Sequence, residues 1–258
     1  MPQTFIIAEL SANHNKDLNH TLDTIYSMKE SGADAVKIQT YRAESLAIDV
    51  ANEEFGPRDD GLWKGIRPYD LYKKGELPYE WYEDIFNYCK KIDLTLFSSP
   101  FDLDAVDYLE KFNCPIYKVA SFEIKHIPLL QRISKTKKPV IISTGIAELS
   151  DIETAISYFE KDKVTLLKCT SEYPALIEEA NLNNISFLKS KFDVNVGLSD
   201  HTIGKECAMA AVAIGATTIE KHYILDRKKG GLDAAFSMEP AEFRDMVDSI
   251  RRIESALG

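Results

Sequence analysis

Residues 94–143 read LTLFSSPFDLDAVDYLEKFNCPIYKVASFEIKHIPLLQRISKTKKPVIIS, and this stretch decides the fold. An apolar, β-branched run at 94–98 ends in serine, and an amphipathic stretch of helical length follows at 102–112. The alternation repeats through a strand at 115–120, a helix at 126–136 and a strand at 138–143. Asp102 stands where a helix N-cap belongs. Strand–helix–strand units of this kind place neighbouring strands parallel through right-handed crossovers. Outward from the centre the pattern persists. It predicts strands at 4–9 and 34–39 on one side and at 163–169, 194–198 and 217–222 on the other. Helices are predicted at 19–31, 78–92, 150–160, 181–191, 203–215 and 239–257, with Ser150 as a second N-cap and Gly32 and Gly215 as helix stops. Strands and helices alternating in this way across 258 residues match a single-domain (β/α)8 TIM barrel. An open, doubly wound sheet is the competitor, but no GxGxxG follows the first strand.

Residues 40–77 break the alternation and read as a long loop inserted after the second strand. Together with the residues that follow, the insert is rich in charge and aromatics (GLWKGIRPYDLYKKGELPYEW, 61–81). A loop of that length in a compact domain is functional or disordered, and the aromatics argue against disorder. One catalytic barrel over 1–258, carrying this insert, is the expected organisation.

Composition bounds the partners. Hydrophobic residues at 45% supply a sizeable core, while a net charge of −10 disfavours a broad nucleic-acid or anionic-membrane surface. A few local cations still suffice for an anionic small molecule. Cys89, Cys114, Cys169 and Cys207 are widely spaced with no CxxC, as expected of free thiols in a reducing cytoplasm. The apolar run Phe5–Ala8 is too short for a signal-peptide core, and no stretch has transmembrane length. The expectation is a soluble cytoplasmic protein.

In barrel enzymes the chemistry sits at the C-terminal ends of the strands and in the loops after them. Here those positions are repeatedly polar: Glu9; Lys37 and Gln39; Ser98 and Ser99; Lys118 and Ser121; Ser143; Ser171 and Tyr173; Ser199 and His201; Glu220 and His222. Any one of them is what a strand end looks like anyway. Two lysines embedded in apolar strand sequence are harder to explain that way. Period two puts Lys37 with Gln39 on one face, and Glu220 with His222 on another. Two cations and a ring of hydroxyls suit an anion carrying phosphate and carboxylate. His201 and His222 end adjacent strands, which lie ~4.8 Å apart in a barrel, so they are able to share one ion with Glu9 or Glu220 nearby. One active-site histidine beside one packing histidine weighs about evenly against that. His20 and His126 take ordinary helix-surface and helix-start readings. His14, in SANHNKD, either orders its loop or contacts a substrate.

Taken together, these segments identify a family. IIAELSANHN (6–15), DAVKIQTY (34–41), FSSPFD (97–102), YKVASFE (117–123), ISTGI (142–146), CTSEYP (169–174), GLSDHT (197–202) and EKHYILDR (220–227) run in order along nearly the whole chain. The chain resembles the sialic acid synthases, barrel enzymes that make nonulosonic acids. GLW (61–63), LPYEWY (77–82) and Ser171 look most like the pseudaminic acid synthase branch. The resemblance implies condensation of phosphoenolpyruvate with an open-chain N-acylated amino sugar, with release of phosphate. It implies that His201 and His222 bind a divalent metal, manganese or magnesium. Lys37, Ser99, Lys118, Ser121, Ser143, Ser171 and Ser199 would hold phosphoenolpyruvate. Glu9 would be the catalytic carboxylate, assisted by Lys37 and Lys118, and Gln39, Tyr173 and Asp233 would contact the sugar. The family continues into a C-terminal antifreeze-like domain that lends an arginine to the partner subunit's sugar site. A homodimer is expected; the antifreeze-like domain is absent from 1–258, and its arginine would come from a separate antifreeze-like partner or be replaced by Arg58 or Arg67 of the insert. The rivals are a Schiff-base aldolase using Lys118 or Lys37, a synthase acting on a phosphorylated aldose, and a non-catalytic phosphosugar-binding barrel.

Overall fold

Eight parallel strands close into a barrel in the computed structural model of the chain, which describes residues 3–258. They are β1 (Phe5–Glu9), β2 (Ala35–Thr40), β3 (Thr95–Pro100), β4 (Tyr117–Val119), β5 (Val140–Ser143), β6 (Val164–Cys169), β7 (Asn195–Asp200) and β8 (Thr218–His222). Each pairs with the next, and β8 returns to β1 with Glu9 opposite His222. The (β/α)8 expectation holds, with every strand within two residues of its predicted bounds.

The surrounding helices are α1 (Leu18–Glu30), α2 (Ala43–Leu46), α3 (Pro68–Gly75), α4 (Tyr82–Lys91), α5 (Leu103–Glu110), α6 (Ile127–Ser134), α7 (Leu149–Ile156), α8 (Asn184–Phe192), α9 (Glu206–Ala213) and α10 (Pro240–Leu257). Asp102 caps α5 as predicted, its carboxylate accepting from the Ala105 N–H at 2.6 Å. Ser150 does not cap α7. The helix begins earlier, at Glu148, whose N–H donates to Asp151 Oδ2 at 2.9 Å and leaves the serine inside the first turn. Gly32 and Gly215 follow α1 and α9 with φ of +91° and +99°, a conformation that suits glycine at a helix end. On α10, Phe243, Met246 and Ile250 share a buried stripe with helical spacing, and truncating Phe243 to alanine would cost ~3–5 kcal/mol.

The pleat decides what reaches the centre. In β2, Lys37 and Gln39 turn towards the barrel axis, while Val36 and Ile38 pack against the helices. Ser98 was expected among the strand-end groups, but it lies on the outer face of β3. Its hydroxyl pairs with Thr40 Oγ1 at 2.6 Å, and only Ser99 faces the mouth. The insert is better ordered than a plain loop. It contains α2 and α3, the latter opened by Pro68, whose missing N–H is harmless in a first helical turn. Residues between them fold back on themselves through Arg58 N–H to Ile66 O (3.2 Å) and Gly65 N–H to Arg58 O (2.9 Å).

Candidate active site

The centre of the mouth is a buried chain of charges. Lys37 Nζ lies 3.2 Å from Glu9 Oε2 and 3.2 Å from Glu220 Oε2, and Lys118 Nζ lies 3.9 Å from Glu220 Oε1. All four residues are 4% exposed or less. Neither carboxylate oxygen facing Lys37 has a hydrogen-bond partner, so the contacts are electrostatic rather than directed. Gln39 Nε2 donates to Glu9 Oε1 at 2.9 Å and to Ser11 Oγ at 3.0 Å. Two carboxylates therefore compete for one close ammonium, and they do not share it equally. Burial raises Glu9 to about 7, against the pull of Lys37 and with repulsion from Glu220 added. Burial opposes ionisation of Glu220 as well, but Lys118 and Lys37 outweigh it and hold that carboxyl well below its usual range. One acid is thus kept anionic and the other poised near neutrality, an arrangement suited to proton transfer.

Hydroxyls complete the ring. Lys118 Nζ donates to Ser143 Oγ at 2.7 Å, Lys37 Nζ reaches Ser99 Oγ at 3.5 Å, and Ser199 Oγ donates to Glu220 Oε1 at 2.8 Å. Ser121 Oγ accepts from the Gly145 N–H at 3.1 Å. A Cβ on Gly145 would stand 2.2 Å from Ser171 Oγ and 2.8 Å from Ser121 Oγ, so a bare backbone is needed where those two hydroxyls converge.

His201 and His222 come together as their strand positions imply, with ring centroids 5.4 Å apart and the Tyr173 ring beside His201 at 4.4 Å. His201 Nδ1 donates to Thr170 O at 2.8 Å when protonated there, which leaves Nε2 with its lone pair free. His222 is kept neutral by burial and by the neighbouring His201 and Lys37 charges. Its Nδ1 is buried without a hydrogen bond, 3.6 Å from Asp233 Oδ2. The two differ in charge: burial opposes protonation of His201, but its contacts with Cys169 and Thr170 raise its pKa, so it must release a proton before the two imidazoles, beside a carboxylate, form a partial ligand set for a divalent ion. Among the described residues no group of three or more His, Cys, Asp or Glu side chains is arranged to hold an ion, so water and substrate would fill the remaining positions.

Above the charges opens a cavity of about 660 Å³, bordered by Gln39, Ser121, Ser171, Tyr173, His222 and Asp233. A more open groove of about 680 Å³ is formed by the insert itself with Lys16, against Arg67 and Lys74, and holds none of the strand-end groups. The two arginines of the insert therefore part company. Arg67 is tied to Asp70 at 2.7 Å and Asp49 at 3.2 Å, away from the mouth, whereas Arg58 borders the mouth cavity. Beside Arg58, Trp63 sits 6.1 Å from Tyr173 and donates from Nε1 to Leu232 O at 3.0 Å. Asp233 is itself fixed by N–H donation to Asn13 Oδ1 at 3.3 Å and by accepting from the Ala12 N–H at 3.4 Å. His14 is an ordering residue, with Nε2 3.0 Å from Gly75 O.

Two groups at the mouth were not singled out in the sequence. Glu123 follows β4, borders the same cavity, and has Oε2 buried without a partner; burial raises its carboxyl to about 7. It lies two residues beyond Ser121 in YKVASFE, which was the available signal. Cys169 ends β6 with Sγ 3.9 Å from His201 Nδ1 and from Ser171 Oγ. Burial disfavours its thiolate, yet the His201 contact brings it down to about 7.

The fold and this mouth define a barrel built to hold a small anionic ligand beside poised carboxylates. The chain belongs to the NeuB family, whose sequence pattern residues 24–258 match. It is 44% identical to the pseudaminic acid synthase of Helicobacter pylori over 256 residues, covering 98% of this chain and 75% of that one. It is 38% identical to the N,N'-diacetyllegionaminic acid synthase of Campylobacter jejuni, covering 100% and 78%. The crystal structure of the N-acetylneuraminic acid (sialic acid) synthetase of Leptospira borgpetersenii superposes with a TM-score of 0.89 at 36% identity, over 99% of this chain and 85% of that one.

Proposed function

We propose that this chain condenses phosphoenolpyruvate with an open-chain N-acylated amino sugar, giving a nonulosonic acid of the pseudaminic type and phosphate. The observation that carries the reading is the buried Glu9–Lys37–Glu220–Lys118 chain ringed by serines at the C-terminal mouth of a NeuB-family barrel. In that reaction C3 of the donor bonds to the aldehyde carbon, the aldehyde oxygen gains a proton, water adds at C2, and phosphate leaves with its C–O bond. Lys118, with Ser143 at 2.7 Å and Ser121 and Ser171 close by, supplies cation and hydroxyls for the donor's anionic groups. Lys37, Ser99 and Ser199 complete that cradle. Glu9, poised near 7, holds or releases a proton at Oε2, the oxygen without a hydrogen bond. Gln39, Tyr173, Asp233 and Glu123 face the cavity the sugar would enter, and Arg58 and Trp63 form its wall on the insert side. His201 and His222 would hold manganese or magnesium, which when bound supplies Lewis-acid polarisation of the aldehyde oxygen.

A homodimer is the assembly we favour, because Phe122, Ile146, Leu176, Ile177 and Ile203 are exposed apolar side chains on the loops after β4 to β7. Four buried free thiols support a cytoplasmic setting, and no helix among the described residues is long and apolar enough to cross a membrane. A Schiff-base aldolase is the second reading, favoured by one observation: burial lowers the pKa of Lys118, which eases attack by a neutral amine. Phosphate release from phosphoenolpyruvate with a panel of acetamido sugars, with and without Mn²⁺, tests the first reading. Borohydride trapping of a pyruvate adduct without phosphate release would replace it with the second.

A further inference from the structure

On the outer side of the barrel wall, a second cavity of about 370 Å³ is lined by residues of β6, α7 and α8. Its most unusual lining group is Lys168. Side chains alternate along β6, so Lys168 turns away from the interior that Cys169 shares with His201. It is only 7% exposed, yet no carboxylate lies within ion-pair distance among the described residues, and its one hydrogen bond goes to Thr170 Oγ1 at 2.6 Å. The fold contains its own comparison. Lys221 occupies the corresponding outward position near the end of β8, and there the ammonium meets Asp200 Oδ2 at 2.8 Å and the Thr202 carbonyl. Asp200 attracts Lys168 only from beyond ion-pair distance, and a buried ammonium so weakly compensated is stabilised by an anion that reaches it.

The rest of the lining is short of acceptors too. The side-chain carboxamides of Asn181 and Asn184 make no hydrogen bond among the described residues, and both border the cavity. Asn184 opens α8, whose first two amides are already satisfied, Asn184 N–H donating to Asn181 O at 3.1 Å and Ile185 N–H to Leu182 O at 2.9 Å, so the Asn184 side chain is the group left to meet a ligand. The only acid lining the cavity is Glu179, exposed at its rim. The Lys168 ammonium and the Asn184 carboxamide thus approach one space from different directions, with the exposed Asn181 at its edge, which suits an oxyanion.

We propose that this cavity is a second anion site, holding the phosphate group of inorganic phosphate or of a small phosphate monoester against Lys168. It stands beside the mouth, since Ser171 borders both cavities, and the proposal holds whichever reaction the mouth performs.

Calorimetric titration of the whole chain with inorganic phosphate, and separately with glycerol 3-phosphate, tests this and distinguishes the two sources. Lys168→Met should remove one phosphate-binding component or weaken it at least tenfold, while Lys168→Arg keeps it. Asn184→Asp should do the same by placing a like charge in the cavity. A carboxylate suits the first turn of a helix, so that variant stays folded and decides the matter even if Lys168→Met does not fold. Titrations of Lys168→Met and Asn184→Asp that match the unaltered chain, or no phosphate component in the unaltered chain at millimolar concentrations, would overturn the proposal and leave Lys168 as a lysine packed for its aliphatic stem.

Discussion

Lys37→Met is the most informative single change, because it takes one ammonium from between two carboxylates and keeps the volume. Each ion pair is 3.2 Å long, and at an effective dielectric of about 20 each is worth about 5 kcal/mol before desolvation. Removing one partner of a buried pair leaves an uncompensated charge and costs ~3–5 kcal/mol net. Glu220 keeps Lys118 at 3.9 Å, so the burden falls on Glu9. Its carboxyl already stands near 7 and rises further without the ammonium. The sign follows. Below about 7 Glu9 is protonated with or without Lys37 and its share of the loss is small; above 7 that share grows by about 1.4 kcal/mol per pH unit until the pH passes the raised value. Urea unfolding at pH 8 and pH 5 should therefore show a destabilisation ~1 kcal/mol or more larger at the higher pH. Adding Glu9→Gln to Lys37→Met should recover part of the loss at pH 8, as a coupled pair requires. An equal loss at both pH values, or none at pH 8, would refute the claim that Lys37 balances Glu9.

The other predictions concern the rim of the same mouth. His222→Ala should abolish both turnover and any rise in melting temperature on adding Mn²⁺, and a retained Mn²⁺ shift would remove His222 from the metal site. Glu9→Gln should lower kcat more than it changes the donor KM; normal turnover would make the carboxylate structural. Arg58→Ala should raise the acceptor KM about tenfold and leave the donor KM unchanged, as loss of one charge-assisted contact implies; an unchanged acceptor KM would take Arg58 out of the sugar site. Glu123 rises on folding from 4.5 to about 7, so its contribution is present below the lower value and is lost as pH climbs through the upper. Glu123→Gln should then match the unaltered chain near pH 4 and exceed it by ~1–3 kcal/mol at pH 8, read by chemical unfolding; no gain at pH 8 would mean the carboxyl is not held against ionisation.

The barrel was legible because each strand has a clear apolar run with a polar end, and because period two separates Lys37 and Gln39 from Val36 and Ile38. Where that same period was ignored the reading failed: Ser98 and Ser99 are neighbours in sequence and sit on opposite faces. Helix α3 lies where the sequence predicts a loop: Pro68, Asp70 and Lys73–Lys74 carry its start, first-turn and last-turn signals, but eight residues amid dense aromatics and charges give too short a periodic run to stand out. The convergence of polar strand ends on one mouth follows from the fold and was expected. How Lys37 is divided between Glu9 and Glu220 depends on separations of 3 to 4 Å between residues distant in the chain, which no spacing rule supplies. Glu123 escaped notice because its strand end was already represented by Ser121. Choosing between Arg58 and Arg67 required the path of the insert, where a local Asp70 captures one guanidinium and leaves the other at the mouth.

The pairing of β1 with β8 also sets an order of events during synthesis. Strand β1 finds its second neighbour only when β8 emerges from the ribosome, so the barrel cannot shut until residue 222 is out. Glu9 belongs to β1, while Glu220 and His222 belong to β8. A nascent chain halted before residue 218 would hold Lys37 and Lys118 without Glu220 between them and leave the facing edges of β1 and β7 unpaired. Such a truncated product should cling to chaperones through those edges, and that property should vanish once β8 docks.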